Sequence, residues 1–227
     1  MKGILLMNNN LTKSRERVKR LVFVALFAAL AYASTMIIHP KVLFLTFDIK
    51  DAIITLAAMA FGPVAGVIIS FFAALLELVT ISETGLYGFI MNFLGSAAFS
   101  VVASLIYKYK KTLVGGIIGL GAAIFSMTAM MLLANIVVTP YFMKTSTETV
   151  IKMIPTILLP FNFLKALANA GLVIGFYKPI SNALKAVGAI RRREDEKLKF
   201  DKITVILLVI AVLISAVSIA IMFSVLT

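Results

Sequence analysis

The run ITVILLVIAVLISAVSIAIMFSVL, residues 203–226, is 24 positions long and carries no charged side chain. About 20 such residues in a helix cross the roughly 30 Å hydrocarbon core of a bilayer, so the stretch is long enough to span one. It is not isolated. LVFVALFAALAYASTMII occupies 21–38, and hydrophobic residues fill 61% of the 227 positions at a mean hydropathy of +1.05. A water-soluble domain is close to half apolar with about a quarter of its residues charged, against 14% charged here. The runs lack the alternation of barrel strands, and lipid offers backbone N–H and C=O groups no partner outside their own segment, so the spans are helices.

Spans are expected at about 21–38, 51–61, 63–79, 87–107, 113–138, 160–178 and 203–225. Phe61, Gly62 and Pro63 interrupt the second run. Proline sits badly inside a helix and well at a helix start, which reads as two helices meeting at a tight turn, the first too short to cross alone. The other reading is one kinked, tilted helix. Of the 22 Lys and Arg residues, 17 fall on one side of these spans, 4 on the other, and Lys165 lies inside a span. This bias places the N-terminus in the cytoplasm of a multi-pass protein of the cell membrane, with outer loops at about 39–50, 80–86 and 139–153. The chain then divides into a cytoplasmic arm (1–20), a membrane domain (21–185), a charged cytoplasmic linker (186–202) and a further transmembrane helix (203–227). GILLM in the arm is too short for the core of a signal peptide.

Several chemistries have no residues to stand on. Without cysteine there are no disulfides, thiolate metal sites or cysteine nucleophiles. The sole histidine, His39, lies beside Pro40 at a helix end and reads as an interfacial residue, so no metal site is expected. No Gly-Lys pair exists to build a Walker A loop, and there is no HExxH motif or nucleophile elbow. The net charge of +12 does not point to nucleic acid, because the basic residues alternate with the spans as membrane loops do.

Polar residues inside the spans are more informative. In PFNFLKALANAG, Asn162, Lys165 and Asn169 fall at i, i+3 and i+7 of a helix opened by Pro160, so they share a face. A lysine at membrane depth costs roughly 2.5 to 3.5 kcal/mol on insertion scales and marks a functional site by default; the alternative is a lysine snorkelling to the interface. Asn135 lies near the outer end of the fifth span and Asn92 in the outer half of the fourth. With Thr46, Asp48 and Asp51 of the first outer loop they outline an outward-facing pocket, with aromatic material from Phe44, Phe47, Phe161 and Tyr141. Such a lining suits a flat heterocycle with imide-like edges, since each asparagine offers a donor and an acceptor. Ala25, Ala29 and Ala33 recur at i, i+4 and i+8 of the first span; that spacing lets another helix approach closely, and also arises by chance in an alanine-rich helix.

The first span's alanine stripe, FLTFDIKDAI leading into FGPVAG, GFIMNFLGSAAFS ending in LIYKYKK, and LLPFNFLKALANAGLVIGFYKPISNALK together resemble one family over about Arg17–Lys185. This is the family of substrate-binding S components of energy-coupling-factor (ECF) vitamin importers, among them the riboflavin-specific members. The resemblance implies an all-α integral membrane fold. That fold is a six-helix S-component bundle with a short second helix, here with one additional C-terminal transmembrane helix. It also implies a lid made by the first outer loop. The family pattern transfers ligand contacts to Asn162, Lys165 and Asn135, with the lid supplying Thr46 and backbone contacts beside it at Leu45 and Phe47; Asn169 and Asn92 join them as candidates. Docking onto a coupling transmembrane subunit, which works with two cytoplasmic ATPase subunits, falls to Ala25, Ala29 and Ala33.

The implied function is capture of riboflavin, bound as the transported substrate and not as a cofactor, by a subunit without catalysis of its own. Competing readings are an S component for folate, thiamin or a pantothenate-like acid, and a small integral-membrane enzyme or scaffold. An acidic vitamin asks for more than one pocket cation. An enzyme asks for an acid or base, and the candidates on the outer side are Asp48, Asp51, Glu77 and Glu83, none paired with a histidine. Glu77 and Asp51 are not expected to touch ligand. They read as interfacial charges or helix-end residues, with Asp51 placed to cap the second helix.

Overall fold

The computed structural model describes residues 2–190 and 202–226. Its helices are α1 (Lys2–Ile37), α2 (Lys50–Phe61), α3 (Pro63–Thr80), α4 (Gly85–Tyr109), α5 (Leu113–Met143), α6 (Thr147–Met153), α7 (Leu159–Ala186) and α8 (Lys202–Leu226). A π-helical turn, Ile154–Leu158, joins α6 to α7. Between α1 and α2 lies a two-residue-per-strand hairpin, β1 (Lys41–Val42) and β2 (Leu45–Thr46), pairing antiparallel with Lys41 opposite Thr46. Ser14–Ile37, α3, α4, α5 and the stretch Thr147–Ala186 are each long and apolar enough to cross a membrane. At 12 residues α2 rises only ~18 Å and is not.

The break between α2 and α3 is a true chain reversal. Gly62 adopts φ 96°, where a side chain is disfavoured, and Pro63 opens α3 where its missing N–H is not needed. The free carbonyls at the end of α2 are met by Gly62 N–H, which donates to Ala58 O at 2.7 Å, and by the Arg20 guanidinium, which donates to Phe61 O at 2.5 Å. Gly66 lets α3 lie against both neighbours: a Cβ there would stand 2.9 Å from the Ala58 methyl and 3.0 Å from Ser100 Oγ.

Three apolar clusters build the bundle. Val24, Phe27, Ala28 and Ala31 of α1 pack on Ile54, Ala57, Phe61 and Ile69 of α2 and α3. Leu56, Phe99, Leu120, Met127 and Val173 fill the centre between α2, α4, α5 and α7. Leu45, Phe47, Val150, Leu158 and Phe161 lie beneath the hairpin. α8 packs along α7, with Ser215 Oγ donating to Ala168 O at 3.0 Å.

Two expected boundaries move. The outer loop placed at 139–153 is helical over most of its length, because α5 continues through Pro140 to Met143 and α6 follows. A proline so near a helix end removes few ladder bonds, and Lys144, at φ 51°, terminates α5. The sixth expected span also runs longer, from Leu159 to Ala186. The charged linker lies, from 191 to 201, outside the described residues.

Candidate ligand cavity beneath the hairpin

The polar face of α7 is brought under the hairpin by the turn at Ile154–Leu158, directly after which α7 starts at Leu159–Pro160. Asn162, Lys165 and Asn169 are all buried, with relative exposures of 1%, 7% and 0%. A cavity with about 760 Å³ of unoccupied space, counting its open mouth, lies among the hairpin, α2, α4, α5 and α7. The hairpin contributes Phe44, Leu45 and Thr46, and α7 contributes Phe161, Asn162 and Lys165. Asn135, Met127, Met131 and Phe142 come from α5, and Tyr87, Met91, Asn92 and Ser96 from α4.

Six of the eight candidate ligand residues therefore line one space: Asn162, Lys165, Asn135, Thr46, Leu45 and Asn92. Phe47 and Asn169 do not. Phe47 points into the apolar cluster under the hairpin and is 1% exposed. Asn169 spends its amide on backbone: Oδ1 accepts from Ala52 N–H at 2.8 Å, and Nδ2 donates to Asp48 O and Lys165 O, each at 3.0 Å. It thus serves the first turn of α2, the role expected of Asp51, whose side chain caps nothing there. Tyr141 is exposed, and its neighbour Phe142 takes the place in the wall.

Burial of charge is the site's main electrostatic feature. Lys165 Nζ donates to Asp48 Oδ2 at 2.8 Å and Thr46 O at 3.3 Å, tying the loop after the hairpin to α7. It does not snorkel to an interface. Lys50, counted among the outer-loop charges from sequence, is 2% exposed. Its Nζ donates to both Glu77 oxygens, at 2.9 and 2.8 Å, and stands 3.4 Å from Asp48. Glu77 also accepts from Asn92 Nδ2 at 2.6 Å, so it is an internal anchor rather than an interfacial charge. Burial by itself would raise the Asp48 carboxyl, but the ammonium groups of Lys165 and Lys50 outweigh it and hold Asp48 below the ordinary carboxylate value. Asp48 is accordingly an anion at neutral pH, and its ion pairs persist until acid protonates it.

Other side chains are positioned by their own helices. Asn135 Nδ2 donates to Met131 O at 2.7 Å while its Oδ1 accepts from Thr139. Asn162 Nδ2 donates to Leu158 O at 2.7 Å. Asp51, expected from sequence to help outline the pocket but not to touch ligand, lies in the wall: 1% exposed, it accepts from Ser96 Oγ at 2.5 Å. Glu77 was legible by the argument applied to Lys165, since a carboxylate within a span also demands a partner. The lysine that answers it, 27 positions away, was not.

The alanine stripe has a different environment. Ala25, Ala29 and Ala33 are exposed on the face of α1 opposite Val24, Phe27 and Ala31. They do not pack inside the described bundle.

Comparison with known proteins accords with this geometry. Residues 19–177 match the family described as "ECF transporter, substrate-specific component". The riboflavin transporter RibU of Staphylococcus aureus (strain TCH60) is 30% identical over 192 residues, covering 80% of this chain and all of that protein. A solved structure of the S component of a bacterial ECF transporter shares 31% identity at a TM-score of 0.64, covering 74% of this chain and 99% of that one. α8 lies beyond the family match.

Proposed function

Because this chain belongs to the substrate-specific S components of ECF transporters, a family of transport subunits and not of enzymes, we propose that it is the membrane subunit that captures riboflavin for uptake. The observation that carries the reading is the pairing, in one cavity, of Asn135, Asn162 and Lys165 with a wall of Met91, Met127, Met131, Phe142 and Phe161. The flavin ring needs a flat apolar slot and, at its imide edge, donors for two carbonyls and an acceptor for one N–H. Amides supply both, and an ammonium supplies donors. Similarity to a riboflavin transporter supports the same ligand. An acidic vitamin is served less well, since the lining lysines, Lys50 and Lys165, are both held by carboxylates.

Riboflavin titrated into detergent-purified protein is expected to lose fluorescence with a midpoint at or below micromolar. Thiamin and folate should not compete. No quenching at micromolar concentration, or effective competition by either vitamin, overturns the assignment.

The transport cycle requires a coupling transmembrane subunit and two ATPase subunits on the cytoplasmic side, with the exposed stripe Ala25, Ala29 and Ala33 as the docking face. That arrangement sets the N-terminus in the cytoplasm, in line with the basic bias of the loops. The absence of cysteine makes orientation simple to measure. Single cysteines at Ser82 and Thr145 should react with an impermeant thiol reagent from outside, and one at Thr112 should not; labelling at Thr112 alone would reverse the topology.

A further inference from the structure

We infer that Asp51 is a specificity-determining residue of the cavity, accepting a hydrogen bond from the polyol chain of the ligand and disfavouring the same chain when it carries a phosphate. The inference rests on riboflavin being the ligand.

It begins with an unequal distribution of partners. Three carboxylates, Asp48, Asp51 and Glu77, and two ammonium groups, Lys50 and Lys165, are buried around one end of the cavity. Lys165 is committed to Asp48, and Lys50 to Glu77 and Asp48. Asp51 receives only the Ser96 hydroxyl, on Oδ1. Its Oδ2 is buried and has no hydrogen-bond partner among the described residues. A buried polar atom left unpaired is costly and uncommon, and in a residue that lines a ligand cavity it marks a place where a hydroxyl donor is favoured.

Which group follows from chemistry. The imide edge of a flavin is dominated by two carbonyl oxygens, acceptors that a carboxylate repels; they belong with Asn135, Asn162 and Lys165 on α5 and α7. The polyol presents several hydroxyl donors, which a carboxylate accepts well. Asp51 on α2 and Ser96 on α4 stand on other helices than Asn135 on α5 and Asn162 on α7, so a ligand with a flat amide-bearing end and a hydroxylated end meets polar groups of both kinds. A phosphate ester at the hydroxylated end would bring a dianion toward Asp51, with both neighbouring lysines already neutralised by carboxylates.

The test compares riboflavin, lumiflavin (the ring with a methyl in place of the polyol) and flavin mononucleotide by fluorescence quenching. Wild-type protein is expected to bind lumiflavin and the mononucleotide each about tenfold or more weakly than riboflavin. Asp51→Asn keeps the shape and replaces one carboxyl oxygen by an amide donor. It should weaken riboflavin about tenfold, leave lumiflavin unchanged and narrow the gap between riboflavin and its phosphate. Equal loss for riboflavin and lumiflavin in Asp51→Asn, or no loss for either, overturns the inference. If that variant does not fold, equal wild-type affinities for riboflavin and lumiflavin overturn it on their own. Failure of wild-type protein to bind riboflavin at all is a different result, which removes the riboflavin assignment itself.

Discussion

Lys165→Ala is expected to weaken riboflavin binding by ten- to a hundredfold. Hydrogen bonds to a charged group contribute about 1.5 to 3 kcal/mol, which converts to that range. The structure adds a second route to the same loss. Lys165 Nζ holds Asp48 at 2.8 Å and the Thr46 carbonyl at 3.3 Å, so its removal also loosens the hairpin's tie to α7, leaving the Asn169 bond to the Asp48 carbonyl, and leaves the Asp48 carboxylate with Lys50 alone, at 3.4 Å. The two routes separate in a double-mutant cycle with Asp48→Asn. If Lys165 acts only by latching the loop, the single variants and the double variant lose the same affinity. A direct ligand contact instead makes Lys165→Ala costlier than Asp48→Asn. Circular dichroism of the purified variants checks that the bundle is intact. Unchanged affinity in Lys165→Ala would confine that lysine to its ion pair.

Replacing Ala29 with tryptophan is expected to abolish riboflavin uptake in cells carrying the coupling and ATPase subunits, while binding to the isolated protein stays unchanged. Ala29 is exposed, as are Ala25 and Ala33 one turn to either side, whereas the neighbouring Phe27, Ala28 and Ala31 are packed against α2 and α3. A large side chain on this face meets lipid in the isolated subunit and costs the bundle little. Against a partner helix the same side chain prevents the close backbone approach that a stripe of small residues permits. The relevant measurements are accumulation of labelled riboflavin in cells and flavin quenching in detergent. Loss of binding together with uptake would place the stripe's role in the fold and end the docking proposal. Full retention of uptake would end it as well.

Much of the fold was legible because membrane insertion imposes one-dimensional rules. A span must be long, apolar and helical, and Gly62–Pro63 favours ending one helix and beginning another over kinking a single one. The expected position of the short second helix accordingly agrees with α2 to within a residue at its start. The outer loop at 139–153 was misjudged because Lys144, Thr145, Ser146 and Thr147 look like loop composition. Helical backbone nevertheless resumes within a few residues, with Ser146 accepting from Thr149 N–H as its cap.

For the cavity, periodicity along a single helix sufficed to put Asn162, Lys165 and Asn169 on one face, because 3.6 residues per turn is a local property. It was not enough to say which of the three look into open space. Asn169 is lost to α2 because that helix starts beside it, and Phe47 because the hairpin turns it inward; both outcomes depend on segments more than a hundred positions apart or on a loop with no periodic signal. The charges divide the same way. Sequence alone established that this chain crosses a membrane several times and carries polar groups at depth, since hydrophobic length and basic asymmetry act residue by residue. Only the tertiary structure decided that Lys50 and Lys165 are consumed by Glu77 and Asp48 while Asp51 is left one bond short. The pairing of buried charge is set by distances of about 3 Å between helices, and nothing in the spacing of residues along one helix encodes them.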